Sequence, residues 1–300
     1  MKTAGECKQR ARRQGTGLAT RKGMNARERL TPLAVAPGAQ DPLVQLEQVS
    51  LRYGAGEAST LAIDRIDLKI RRGEFIAVVG PSGCGKSTLM KILSGLVPVS
   101  EGVALVEGRE IAGPLKSVGM AFQAANLLPW RDTIRNVMLP LEVVEPHKRR
   151  VRRHRAEYVA QVEALLQRVG LGGFGRKYPW ELSGGMQQRT SICRALIHEP
   201  EILLLDEPFG ALDAFTREEL WCTLRDLHAE RRVTVMLVTH DLREAAFLAD
   251  TVYVFSQRPG RIVLRHEVDL PRPRDISLTY RPEFAQVVQL LRSHIQHSAH

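Results

Sequence analysis

The chain has 300 residues, 44% hydrophobic and 25% charged, with 43 Lys and Arg against 33 Asp and Glu for a formal net charge of +10. That is enough for one large domain or two modest ones of ordinary globular composition. Its apolar runs are strand-sized, far short of the ~20 residues that a membrane-spanning helix needs, and the first thirty residues lack the apolar core of a secretory signal, so neither insertion nor export is expected. The charge is uneven: nine basic residues fall between Met1 and Leu30, against Glu6 and Glu28. An arm over residues 1–40, poor in large apolar residues, cannot offset the entropy of ordering and is expected to be disordered. It reads as a solvated tail, with Met24 as an alternative translation start, or as a segment drawn to anionic lipid.

Pro32, Pro37, Gly38 and Pro42 mark the way out of the arm. Leu43–Tyr53 then predicts a strand, and Ile63–Ile70 a strand with one wet face, because Ile66, Leu68 and Ile70 alternate with charged neighbours. Phe75–Val79 is apolar throughout, as a strand covered on both faces should be. A glycine-rich loop follows, then a helix over Ser87–Leu96. Between about 127 and 181 the pattern turns helical: His147–Arg155 is intensely basic, and Tyr158–Val169 spaces Val159, Val162, Leu165, Leu166 and Val169 along one face. Ile202–Leu205 and Val233–Val238 read as two more buried strands, Val252–Phe255 and Ile262–Val268 as closing strands, and Pro282–Ile295 as a helix docked on its own domain. Cys7, Cys84, Cys193 and Cys222 form no metal or disulfide pattern and fit a reduced, cytoplasmic setting. His294, His297 and His300 read as a frayed terminus rather than a metal site.

The chemistry gathers where the strands end. Gly80-Pro81-Ser82-Gly83-Cys84-Gly85-Lys86-Ser87, with Thr88 after it, lies between a buried strand and a helix, the setting in which such a loop wraps phosphate with backbone N–H groups. Lys86 supplies charge for the β- and γ-phosphates of ATP, and Ser87 offers a hydroxyl to Mg²⁺. Asp206-Glu207 closes a strand, which in a parallel α/β sheet puts both carboxylates beside that loop. Asp206 suits Mg²⁺ through water, and Glu207 suits a general base on an attacking water. His240 follows the next strand and reaches the same edge, where a neutral imidazole can bond the γ-phosphate and Glu207.

A second glycine pair, in Leu182-Ser183-Gly184-Gly185-Met186-Gln187-Gln188-Arg189, opens a helix expected from Met186 and makes another anion-receptive N-terminus. One chain already has a full phosphate loop, so Ser183, Gly184, Gly185 and Gln187 make sense if they face a nucleotide held by another copy. Two copies related by a two-fold axis then bury two ATP molecules between them.

With the phosphate loop and the carboxylate pair, this stretch resembles the ATP-binding cassette (ABC) family over roughly residues 43–265. The resemblance implies an α/β fold: a P-loop NTPase (RecA-like) core with an antiparallel β subdomain and an inserted α-helical subdomain, an ATPase domain over 41–270 and a tail with a short helix over 271–300. It implies that Tyr53 stacks on adenine, that Gln123 contacts Mg²⁺ and the attacking water, that His240 is the switch histidine, and that Ala211-Leu212-Asp213 crosses the dimer interface. Ala124 departs from the acidic residue usual after that glutamine. Asn126-Leu127-Leu128-Pro129-Trp130-Arg131, Ser256–Arg261 and Asp269–Arg274 are similar to the ATPase subunits of bacterial importers for nitrate, sulfonates, taurine and related small solutes. Such a subunit works as a homodimer on a permease at the cytoplasmic face of the inner membrane, with a solute-binding protein as an indirect partner. Leu127, Leu128 and Trp130 are then either a contact between subdomains or a socket for a permease helix. A soluble ABC ATPase acting on nucleic acid or ribosomes is the alternative, supported only by the basic arm and His147–Arg155, so no nucleic acid is expected as partner; an export ATPase ranks third.

Overall fold

The computed structural model describes residues 42–54, 56, 59–210 and 212–297, so the basic arm and Ala211 lie outside it. The chain runs β1 (Val44–Tyr53), β2 (Thr60–Ile70), β3 (Phe75–Val79), α1 (Lys86–Leu93), β4 (Glu101–Val106), β5 (Arg109–Glu110) and β6 (Val118–Ala121). A helical stretch follows: α2 (Thr133–Val137), α3 (His147–Arg150), α4 (Arg155–Arg168) and α5 (Gly184–Leu196), with 3-10 turns at Leu139–Glu142 and Pro179–Glu181. Then come β7 (Ile202–Asp206), α6 (Ala214–Arg231), β8 (Thr234–Thr239), α7 (Leu242–Leu248), β9 (Thr251–Phe255), β10 (Ile262–Glu267) and α8 (Pro282–His297).

Two sheets result. β2-β1-β4-β5 is antiparallel. The second has the order β10-β9-β3-β8-β7-β6, parallel from β9 to β6, with β10 antiparallel on its edge. β3, β8 and β9 are buried along their whole length; β3 is accordingly apolar throughout, while β8 and β9 carry polar residues only as threonines at their ends. Alternation of side chains across the pleat divides the interior. Phe75, Ala77 and Val79 of β3, with Leu203, Leu205, Val235 and Leu237, face the core shared with α2, α4, α5, α6 and α7. Ile76, Val78, Ile202, Leu204, Met236 and Val238 face the core shared with α1 and the antiparallel sheet. The pleat thus makes the parallel sheet a wall between two cores, and each buried Leu or Phe contributes ~1.5–3 kcal/mol.

The sequence pattern misjudges several ends. α1 begins one residue earlier than expected and stops at Leu93, because Gly95 takes a left-handed φ of 72°. α5 starts at Gly184, not Met186, since Ser183 caps it by accepting a hydrogen bond from the Met186 N–H. α8 continues through His294, whose Nδ1 bonds Leu290 O at 2.9 Å, to His297; the first two histidines of the terminal series are helical rather than frayed. β4, β5, β6, α6 and α7 go unassigned in the sequence. β6 carries Gly119, where a Cβ would lie 2.1 Å from Ala195 O, so α5 packs on bare backbone there. α6 hides its apolar Leu220, Trp221, Leu224 and Leu227 among charged residues.

The tail docks on the body. Phe284 and Leu291 of α8 are buried, with Val287, Val288 and Ile295 packed beside them. Arg274, 1% exposed, donates to Ala246 O, Phe247 O, Ala249 O and Val268 O, closing the C-terminus of α7. Cys84, Cys193 and Cys222 are free thiols. Among the described residues no helix is long and apolar enough to cross a membrane.

Candidate nucleotide site at the sheet edge

Because β3, β8, β7 and β6 are parallel and adjacent, their C-terminal ends reach one edge of the sheet. Register places Val79 opposite Thr239, Asp206 opposite Val238 and Ala121 opposite Leu205. Gly80, His240, Glu207 and Gln123, each one or two residues past those ends, therefore fall side by side in the crevice where such sheets bind ligands.

The loop Gly80–Ser87 is packed from below. At Gly85, with a φ of 108°, a Cβ would lie 2.9 Å from Ala62 O, so only glycine brings the chain this close to β2. Lys86 is 6% exposed and folds back over its loop, its Nζ donating to Gly80 O and Pro81 O at 2.9 Å each. Cys84 Sγ lies 3.9 Å from the same nitrogen, and burial pushes its thiol above the usual range. Pro81, Ser82, Gly83 and Cys84 form the turn between strand and helix. The Thr88 hydroxyl is 3.4 Å from that of Tyr53, which ends β1 and is 37% exposed, so the tyrosine ring borders the loop.

Ser87 Oγ donates to Asp206 Oδ1 at 3.3 Å. Burial pushes the Asp206 carboxyl up, the Ser87 hydrogen bond opposes this, and the neighbouring Glu207 carboxylate adds to it. Glu207 sits in the left-handed region, with φ 44°, where a residue other than glycine is strained. Its N–H bonds Val238 O at 2.8 Å, tying the end of β7 to that of β8. The Gln123 Nε2 donates to Glu207 Oε2 at 3.3 Å, and His240 Nδ1 lies 3.3 Å from the same oxygen. A carboxylate held this way can take a proton from a water placed beyond it.

The remaining sequence candidates stand elsewhere. Among the described residues no hydrogen bond or ion pair joins Ser183, Gly184, Gly185, Gln187 or Asp213 to Gly80–Thr88. Gly185 is instead packed by the start of α6 and the loop before it: a Cβ there would come within 3.2 Å of Leu212 Cδ2 and 3.4 Å of Thr216 Cγ2. Asp213 caps α6 by accepting from the Thr216 N–H at 3.0 Å, which holds its carboxyl below the usual range. The Gln187 amide turns back to Pro179 O at 2.9 Å and Leu182 O at 3.2 Å.

Other residues hold the site without announcing themselves. Gln188 Nε2 donates to Phe122 O at 3.0 Å, and Arg194 donates to Asn126 O at 2.8 Å and Ala125 O at 2.6 Å, so α5 grips the segment that carries Gln123. Asn136, fully buried, exchanges hydrogen bonds with the Leu128 backbone in both directions. Leu127 and Leu128 are half-buried as a result, while Trp130 is 69% exposed. A Cβ on Gly260 would fall 2.1 Å from Cys84 O, so the Ser256–Arg261 turn presses on the phosphate loop. Of these, only Arg194, set between Cys193 and Ala195 in a buried stretch of α5, carries a sequence signal.

The ABC transporter family model matches residues 63–210. An aliphatic sulfonates import ATP-binding protein, SsuB of Bacillus licheniformis, is 46% identical over 222 residues, covering 74% of this chain and 83% of the relative. A second, SsuB 2 of Burkholderia cenocepacia, is 41% identical over 252 residues, 84% of this chain and 87% of that one. Among solved structures, a dimeric post-hydrolysis state of the ATP-binding cassette MJ0796 with ADP and Pi superimposes with a TM-score of 0.64 at 30% identity, over 76% of this chain and 100% of the other. With its phosphate loop, carboxylate pair and glycine-pair helix placed as described, this chain belongs to the ABC transporter family, as an ATP-binding, ATP-hydrolysing cassette.

Proposed function

We propose that this cassette energises a bacterial importer for a small solute of the nitrate, sulfonate or taurine type, working as a head-to-tail dimer on a membrane permease at the cytoplasmic face. The carrying observation is the division of the site. The phosphate loop, Asp206, Glu207, His240 and Gln123 share one edge, while the N-terminus of α5 lies apart from them and is exposed at Gly184. A serine-capped helix start is an anion site in need of an anion, and the γ-phosphate held by a second copy supplies one. Two relatives bear the name of aliphatic sulfonates importers, and the dimeric MJ0796 cassette has the same fold, which supports both parts of the reading.

In this reading Tyr53 stacks on adenine, and Gly80–Thr88 and Lys86 hold the phosphates. Ser183, Gly184 and Gly185 of the other copy close over the γ-phosphate; Gln187 braces their turn, and Asp213 shapes the loop beside them. Glu207 orients and deprotonates the attacking water, with Gln123 and His240 fixing its carboxylate. Mg²⁺ fits the donors at this edge: Ser87 Oγ, the Asp206 carboxylate and the Gln123 side-chain carbonyl are hard oxygens, as that ion requires. When bound it neutralises charge on the β- and γ-phosphates. ATP binding closes the dimer and moves the docked permease, and hydrolysis lets it reopen, because only differential affinity for the two states shifts the equilibrium. The exposed Trp130, with Leu127 and Leu128 behind it, is the docking face for a permease helix, and a solute-binding protein delivers the solute to that permease. Co-expression with the permease and solute-binding protein of a sulfonate-type importer from the same source tests the reading. Reconstituted vesicles should show ATPase stimulated by a loaded binding protein, and failure of the subunits to co-purify would remove the transport assignment.

A further inference from the structure

Behind His240 lies a partly buried polar network, with Thr239 and Glu244 at its buried end, that the proposed catalytic roles leave unused. Arg217, in the first turn of α6, donates through Nη2 to Leu212 O at 3.0 Å and through Nη1 to Asp241 Oδ2 at 3.5 Å. Its Nε, buried and without a hydrogen bond, is 4.0 Å from Glu244 Oε1. Glu244 is 3% exposed, and its Oε2 accepts from Thr239 Oγ1 at 2.5 Å. The Thr239 hydroxyl in turn accepts from the Asp241 N–H at 3.0 Å. Thr239 and Asp241 flank His240, so both ends of the turn that presents the imidazole are held by this network. A second tie, Arg243 to Glu218 at 3.8 Å, joins the same two helices. A cavity of about 40 Å³ shared by Glu207, His240, Arg217 and Glu244 brings the network up against the site.

We propose that Arg217 and Glu244 are positioning residues that couple the Leu212–Asp213 loop to the Thr239–Asp241 turn, so that a second copy seated against the first sets His240 beside Glu207. The inference rests on the head-to-tail dimer proposed above and adds the route by which its closure reaches the imidazole. One guanidinium is bonded to the loop and to the turn, so neither shifts without breaking a hydrogen bond to a charged group. The acid on α7 is too deeply buried to swing out and leave the Thr239 hydroxyl unpaired. Asp241 supplies the charge opposite Arg217, while burial pushes the Glu244 carboxyl up to about 8 despite the guanidinium nearby. Glutamine is therefore a close substitute for Glu244, whereas lysine cannot reproduce the several directions of Arg217.

Steady-state ATPase and ADP binding of the full chain test this. Arg217→Ala, Arg217→Lys and Glu244→Ala should each lower kcat about tenfold or more, since small misplacements of catalytic groups are costly, while KM for ATP and the Kd for ADP stay near parental. Glu244→Gln should restore most of kcat. Arg217→Ala combined with Asp213→Ala should cost little more than the worse single change, because both act on one connection. Parental kcat in Arg217→Ala, fully additive losses in the double variant, or a Glu244→Gln chain as slow as Glu244→Ala would overturn the coupling. Light scattering of Glu207→Gln with ATP separates the two claims: no dimer sinks the head-to-tail reading itself, whereas a dimer alongside a fully active Arg217→Ala sinks only the coupling.

Discussion

His240 Nδ1 and the Gln123 amide nitrogen each lie 3.3 Å from one oxygen of Glu207, Oε2, so residues from the ends of three strands meet on a single atom. The backbone cost of that meeting is the left-handed φ of Glu207. Glu207→Gln keeps both neighbours but removes the basic oxygen, so turnover should fall by ~10²–10⁴-fold, with an ATP-bound dimer accumulating. Phosphate release and light scattering measure the two effects, and hydrolysis at the parental rate would take Glu207 out of the base role.

Ser183 stands apart from the phosphate loop of its own chain, capping α5 through the Met186 N–H. Ser183→Arg should leave nucleotide binding by a single copy intact and block hydrolysis. Equilibrium binding of a fluorescent ATP analogue, set beside ATPase assays over a dilution series, checks this. Full activity at dilution would mean that no partner serine is needed.

Gly260 has no room for a side chain against Cys84 O. Gly260→Ala must push the phosphate loop or the Ser256–Arg261 turn aside, a strain of ~1–3 kcal/mol. The KM for ATP should rise several-fold. Gly113→Ala, where a Cβ meets nothing within 4 Å, is the matched control. An unchanged KM in Gly260→Ala would show that the turn does not brace the loop.

Glu244 links pH to stability. Burial raises its carboxyl from 4.5 to about 8 in the fold, so between those values the folded chain holds a proton that the unfolded chain has released. Stability from this group is full below 4.5 and is lost as pH rises through about 8. Denaturant midpoints should therefore fall from pH 5 to pH 8 in the parental chain and fall less in Glu244→Gln. Equal slopes would mean that Glu244 is ionised in the fold.

The phosphate loop, the carboxylate pair and the glycine-pair helix are legible in the sequence because each depends on residues adjacent along the chain. Lys86 and Ser87 follow the loop glycines directly, and Glu207 follows Asp206 at a strand end. Phe75–Val79 announces its burial by having no polar residue. β6 and α6 escape notice for a related reason. The four residues of β6 include a glycine that allows close contact with α5, and the apolar residues of α6 are few among charged ones, so its buried side is evident only where Trp221 meets Phe247 of α7.

By itself, the sequence determined which groups can meet phosphate and where strands give way to them, since local propensity and short spacing are properties of a single stretch of chain. Tertiary structure alone decided that Gln123 and His240 share one carboxylate oxygen, that Arg217 joins two loops, and that Gly260 supports a turn far from it in sequence. Those relations arise from the order in which parallel strands lie side by side. That order is set by how two cores are filled on opposite faces of one sheet, and no single segment encodes it.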